Sequence, residues 1–189
     1  MPTINVYLAD MPRAVQYPAP IRTYLQNVFN RVIQENELDA EVSVSYVSQA
    51  PNISVHDLLC YIVRDRDDTL VRDCPGVGGN TSPPANLAGW TRFQTGNTGL
   101  SASEVYYDEV VEGGSGFGGR IILHELMHNM SRIGDAMHTP GSGVGGETVR
   151  NDTALTANDI AFIARHLTRT NRTQWTGGFS LYNDPMRGL

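Results

Sequence analysis

His124, Glu125 and His128 stand in the order HExxH inside RIILHELMHNMSRIGDAMH, the stretch from Arg120 to His138. On an α-helix, side chains four positions apart lie one turn above each other on the same face, so the two imidazoles can converge on a single metal ion. Zinc suits such a site. It accepts neutral imidazole nitrogen in tetrahedral geometry and keeps a position for water when the protein supplies three ligands. Glu125 follows the first histidine directly and can take the proton as a zinc-polarised water attacks a carbonyl, then hand it to the leaving amine. The chemistry implied is peptide hydrolysis without a covalent intermediate.

The alternative is chance, since a surface helix rich in His and Glu shows the same letters. The flanking residues argue for a packed helix instead. Ile122, Leu126, Met130 and Ile133 follow helical spacing and give the segment an apolar face beside its histidine face. Gly118 and Gly119 precede it, and Gly134 supplies a C-terminal stop. Upstream, Ile4 to Leu8 read as a first strand, Pro20 to about Asn36 as a helix with Ile21, Leu25, Val28 and Val32 on one face, and Glu41 to Val47 as an alternating strand. VHDLLCYIVRD reads as a third strand with a buried centre, and Ala102 to Val111 as a fourth. Residues 65 to 99, rich in Gly, Pro, Asn and Asp, read as a long loop. Downstream, LTANDIAFIARHLTR is predicted helical, with Thr156 as N-cap, Asp159 in the first turn, and Ile160, Ile163 or Ala164, and Leu167 on the buried face. His166 near its end is read as favourable with the helix dipole. The tail from Gln174 on is predicted irregular and packed down by Trp175, Phe179 and Tyr182.

HELMH on an apolar helix, followed by glycine and further His and Asp, resembles the zincin metallopeptidases, and within them the metzincin branch. The metzincin pattern HExxHxxGxxH is altered here, with Ser131 at the glycine position and Gly134 at the third-ligand position. The third ligand is therefore His138 or Asp135, with His138 preferred and Glu147 a lesser candidate. A chain reversing at Gly134 brings His138 back toward the metal, an arrangement that resembles aspzincins, while the Asp135 spacing resembles that of some bacterial effector zincins. The resemblance implies a single α/β (α+β) domain over residues 1–189, a twisted mixed sheet with packed helices, in which residues 1–134 make the upper portion and residues 135–189 the lower. It implies that the strand at Ala102 to Val111, carrying Tyr106 and Tyr107, runs along the cleft edge and pairs with an extended substrate. It also suggests a tyrosine as oxyanion partner, for which Tyr182 is the candidate.

The function expected is zinc-dependent endoproteolysis on protein or peptide substrates by a monomer. The competing expectation is a zinc-containing binding, effector or toxin module with narrow or no proteolytic activity. The intact Glu125 favours the enzyme, because a purely structural zinc has no need of a base beside it. A net charge of −6 argues against nucleic acid as partner, and no apolar run reaches the ~20 residues of a membrane span. No signal peptide opens the chain, and secretion or export is favoured over a cytoplasmic location. Cys60 and Cys74 are spaced to permit a disulfide. Glycosylation sequons occur at Asn52, Asn80, Asn129, Asn151 and Asn171, the third of them inside the metal helix.

Overall fold

The computed structural model describes residues 1–77, 82–94, 99–170 and 172–187, so the sequons at Asn80 and Asn171 lie outside the described residues. Strand β1 (Thr3–Asp10) alternates, with Ile4, Val6 and Leu8 on one face and Tyr7 and Ala9 on the other. Helix α1 (Pro18–Glu35) opens with proline in its first turn, where no helical N–H is lost, and buries Ile21, Leu25, Val28, Phe29 and Val32. β2 (Glu41–Val47) returns parallel to β1. β3 (Leu58–Val63) is buried at every position, as a strand covered on both faces requires.

β4 (Gly89–Phe93) and β5 (Leu100–Tyr106) follow, then α2 (Tyr107–Glu112), α3 (Gly114–Ser131), α4 (Ala157–Leu167), the short β6 (Thr173–Gln174) and α5 (Gly177–Tyr182). The strands make one mixed, mostly parallel sheet in the order β2-β1-β3-β5-β4, with β6 also pairing with β5; β4 alone runs antiparallel to its neighbour. The α/β class read from the sequence is the class observed. Helices α1, α3 and α4 cover one face of the sheet through a core that includes Ile21, Phe29, Ile122, Leu126, Met130 and Ile163. The opposite face is covered by Leu70, Val71, Cys74, Val77, Trp175 and Phe179, so the tail does pack onto the body through its aromatics. Cys60 belongs to the first core and Cys74 to the second; both thiols are free, with the sheet between them.

Several local expectations need correction. The strand predicted to run to Val111 ends at Tyr106, because Tyr107 to Glu112 coil into α2, and β5 is an interior strand with β3 on one side and β4 on the other. Tyr106 points into the second core and donates its hydroxyl to buried Glu104 at 3.1 Å, while Tyr107 donates to the Ala14 carbonyl at 2.6 Å. The sheet edge is β4, which lies in the stretch read as loop. Next, α3 starts inside the glycine run, and Gly118 permits its close approach to α1: a β-carbon there would lie 2.7 Å from Val110 Cγ1 and 3.1 Å from Ile21 Cδ1. Finally, Gly134 is not the helix stop. Arg132 takes the left-handed conformation at the end of α3, with φ 58° and ψ 37°, and its N–H bonds the His128 carbonyl at 2.8 Å. The tail also departs from the irregular reading, since it contributes β6 and α5.

Helix α4 matches its sequence signals. Thr156 and Asp159 form a reciprocal capping box, and Ile160, Ile163 and Leu167 are buried. His166 does not serve the dipole as a cation. It is buried against Phe162, and burial, followed by the charges of Arg169, Arg165 and Arg172, pushes its pKa from 6.5 down to about 4. A folded-state value below the unfolded one means that stability is complete above about pH 6.5 and is lost as pH falls toward the folded value. Replacing His166 with Phe removes that loss. The variant should gain about 1 kcal/mol on wild type at pH 5 and much less at pH 7, after discounting for solvent screening. Urea unfolding at the two pH values measures the gain, and a pH-independent difference would refute the assignment.

Candidate metal centre and catalytic cleft

The middle of α3 is buried on all sides, from Ile121 to Ser131. His124 and His128, one turn apart, present their Nε2 atoms to each other at 3.1 Å. After the left-handed turn at Arg132 the chain doubles back through a 3-10 turn, Asp135–Met137, that delivers His138 with its Nε2 3.2 Å from His128 Nε2. Met137 anchors this return by burying its side chain in the main core. Among the described residues, the ligand atoms of His124, His128 and His138 form the one group of metal-binding type within 4.8 Å of one another.

The donor set fits a metal ion. His124 Nδ1 faces the Val144 carbonyl at 2.7 Å and His128 Nδ1 faces the Ile133 carbonyl at 2.7 Å. A carbonyl can only accept, so each Nδ1 carries the hydrogen and each Nε2 turns a lone pair inward. Lone pairs at this separation repel unless a cation lies between them. Zn–N bonds of about 2.0–2.1 Å in a tetrahedron place nitrogens about 3.3 Å apart, close to the spacing here. Burial, then neighbouring His128, holds His124 down at about 4, and His128 is lowered from its ordinary value by burial first; both shifts favour the neutral ring that metal ligation requires.

The carbonyl partner of His124 is itself held by a carboxylate. Asp159, fully buried in α4, accepts hydrogen bonds from the backbone N–H groups of Gly143 (3.0 Å), Val144 (3.1 Å), Gly145 (2.9 Å) and Thr156 (2.8 Å). Asp159, the acidic member of the α4 capping box, thereby sets the loop whose carbonyl orients His124. Asp159→Asn turns one acceptor oxygen into a donor aimed at backbone N–H groups, and should weaken any metal binding by the cluster about 10–100-fold through His124. Chelator competition measures this, and unchanged affinity in a folded variant would break the proposed link.

Glu125 faces the edge strand. Its Oε2 accepts from the Thr91 hydroxyl at 2.6 Å, and its Cγ packs where a side chain at Gly89 would stand, 2.6 Å from an added β-carbon. Burial pushes the carboxyl up to about 8 against the lowering effect of that Thr91 bond. A cation among the nearby imidazoles would act in the opposite direction. His124, Glu125, His128 and His138 all open onto one cleft of about 410 Å³, walled by Pro84, Leu87, Gly89, Trp90, Thr91, Gly134 and Asp135.

Of the sequence candidates, the structure brings together His124, Glu125, His128 and His138. Asp135 lines the cleft but stays outside the ligand cluster; its backbone carbonyl accepts from His138 N–H at 2.9 Å. Glu147 is exposed and lines no part of the cleft. Tyr182 lies elsewhere, against Asp10, Met11 and Arg13 in a separate cavity, and supplies no oxyanion partner to this cleft. Thr91, Gly89 and Trp90 escaped sequence reasoning because no local pattern marks them; only strand pairing brings them opposite α3. Among the described residues, no helix is long and apolar enough to cross a membrane. No family model, curated protein or solved structure matches this chain.

Proposed function

We propose that this protein is a zinc-dependent endopeptidase of zincin type. The observation that carries the reading is the convergence of three imidazole Nε2 atoms beside the Glu125 carboxylate in one open cleft. His124, His128 and His138 would hold the ion, which when bound supplies a Lewis acid that polarises a carbonyl and acidifies water. The chain's own residues do the rest. Glu125 accepts the proton of the attacking water and delivers it to the amine nitrogen as the C–N bond breaks. The outer edge of β4 offers main-chain hydrogen-bonding groups to an extended peptide lying along the cleft, the role first expected of β5. Trp90, Leu87 and Pro84 form an apolar wall for substrate side chains.

The test is cleavage of a mixed-sequence peptide library by zinc-loaded protein, read by mass spectrometry beside Glu125→Gln. Cuts made by the wild type alone support the proposal and give the side-chain preference. No cuts, with zinc held firmly in both proteins, would overturn it in favour of a zinc-containing binding module.

A further inference from the structure

The buried polar residues behind Glu125 form a continuous chain across the sheet. Gln174 on β6 accepts the Leu59 backbone N–H on Oε1 at 3.2 Å. A backbone amide can only donate, so this contact fixes which way the Gln174 amide points. Its Nε2 must then donate to Asn129 Oδ1 (2.8 Å), which leaves Asn129 Nδ2 to donate to Gln174 Oε1 (3.0 Å) and to Ser103 Oγ (2.9 Å). Ser103 has one hydrogen of its own, and its nearest acceptor is Thr91 Oγ1 at 2.8 Å, against 3.4 Å to the Glu125 carbonyl. Thr91 in turn has one hydrogen to give, and Glu125 Oε2 at 2.6 Å is closer than the Glu125 carbonyl at 3.0 Å. Apart from the second Asn129 hydrogen, which returns to Gln174 Oε1, the donors form one directed path from a backbone amide of β3 to one oxygen of Glu125.

We propose that Thr91, as the last link of this one-way chain through Gln174, Asn129 and Ser103, is the positioning residue that locks Glu125 Oε2 and leaves Oε1 as the working oxygen. The inference rests on the peptidase reading for its catalytic meaning. Asn129 stands one helical turn beyond Glu125, so α3 carries both the base and its brace. Gly89 and Thr91 are two apart on β4 and share a face, and they hold the carboxylate from two sides: Gly89 by the missing β-carbon, Thr91 by the hydrogen bond. Ser103 and Gln174 are almost fully buried, so water does not compete for these bonds. A substrate that pairs with the outer edge of β4 grips the same strand that holds the base, which links main-chain alignment to the placement of Oε1.

Thr91→Val keeps the branched shape and removes the donor; Thr91→Ser restores the donor. Zinc content and melting temperature establish that each variant is folded and loaded. Thr91→Val should lower kcat about 10–100-fold with KM changed less than about threefold, and Thr91→Ser should recover most of the loss. Crystal structures of the zinc-loaded wild type and Thr91→Val supply a readout independent of turnover: the Glu125 carboxylate should sit on Thr91 in the former and rotate away or split between conformers in the latter. An unmoved carboxylate would overturn the proposal, and so would a valine variant with wild-type kcat. If the wild type and Glu125→Gln are equally inert on peptides, the peptidase reading fails, and the carboxylate position still decides whether Thr91 holds it.

Discussion

Glu125→Gln should keep its zinc and lose about a thousandfold in kcat/KM, within the ~10²–10⁴ range that a general acid–base group contributes. The amide has nearly the shape of the carboxylate, so it fits the space beside Gly89 and can still accept from Thr91. It cannot take a proton from water at neutral pH. The three imidazoles are untouched, and the carbonyl partners of His124 and His128, at Val144 and Ile133, remain. Metal content by elemental analysis should therefore match wild type while peptide turnover collapses. Full activity in this variant would end the mechanism.

The second large effect separates the two third-ligand candidates. His138→Ala should weaken zinc binding about 10²–10³-fold, because one of three imidazole donors is lost and the remaining pair must recruit water in its place. Asp135→Ala should shift affinity only a few-fold. Its carboxylate lies outside the cluster, and what the turn takes from this residue is the backbone carbonyl that accepts from His138 N–H. Competition against a chromophoric chelator reads both constants. Equal retention of zinc in the two variants would remove both residues from the ligand set.

The elements of the site written in consecutive residues were legible. His124, Glu125 and His128 lie on one helix, and helical periodicity alone put the two imidazoles on one face, with Glu125 beside the first and Leu126 and Met130 on the apolar face. The capping box at Thr156 and Asp159 was equally local. What depends on the chain returning from elsewhere was not. His138 reaches the cluster because Arg132 accepts a left-handed conformation that glycine would adopt more easily, and no sequence rule selects arginine there. Gly89 to Phe93 carry the cleft edge in a stretch whose Gly, Pro and Asn content reads as loop, since pairing with β5 outweighs weak local preference. In the opposite sense, YYDEVV looks like strand by its β-branched and aromatic residues, yet Asp108 and Glu109 fall in the first turn of α2. His166 stood at a position where a cation is normally favourable, and only packing shows that the ring is enclosed and flanked by arginines.

The pairing of β6 with β5 joins Leu100 to Thr173 and Ser101 to Gln174, across most of the second half of the chain. Closing so large a loop costs entropy that is repaid only by the contacts the clasp makes with the rest of the sheet. On a ribosome, the histidines of α3 emerge well before Gln174 does. The nascent chain can gather its metal ligands while the brace behind Glu125 is still missing. On the proposed reading, the order of synthesis lets the metal site assemble before the segment that completes the chain behind Glu125 has emerged.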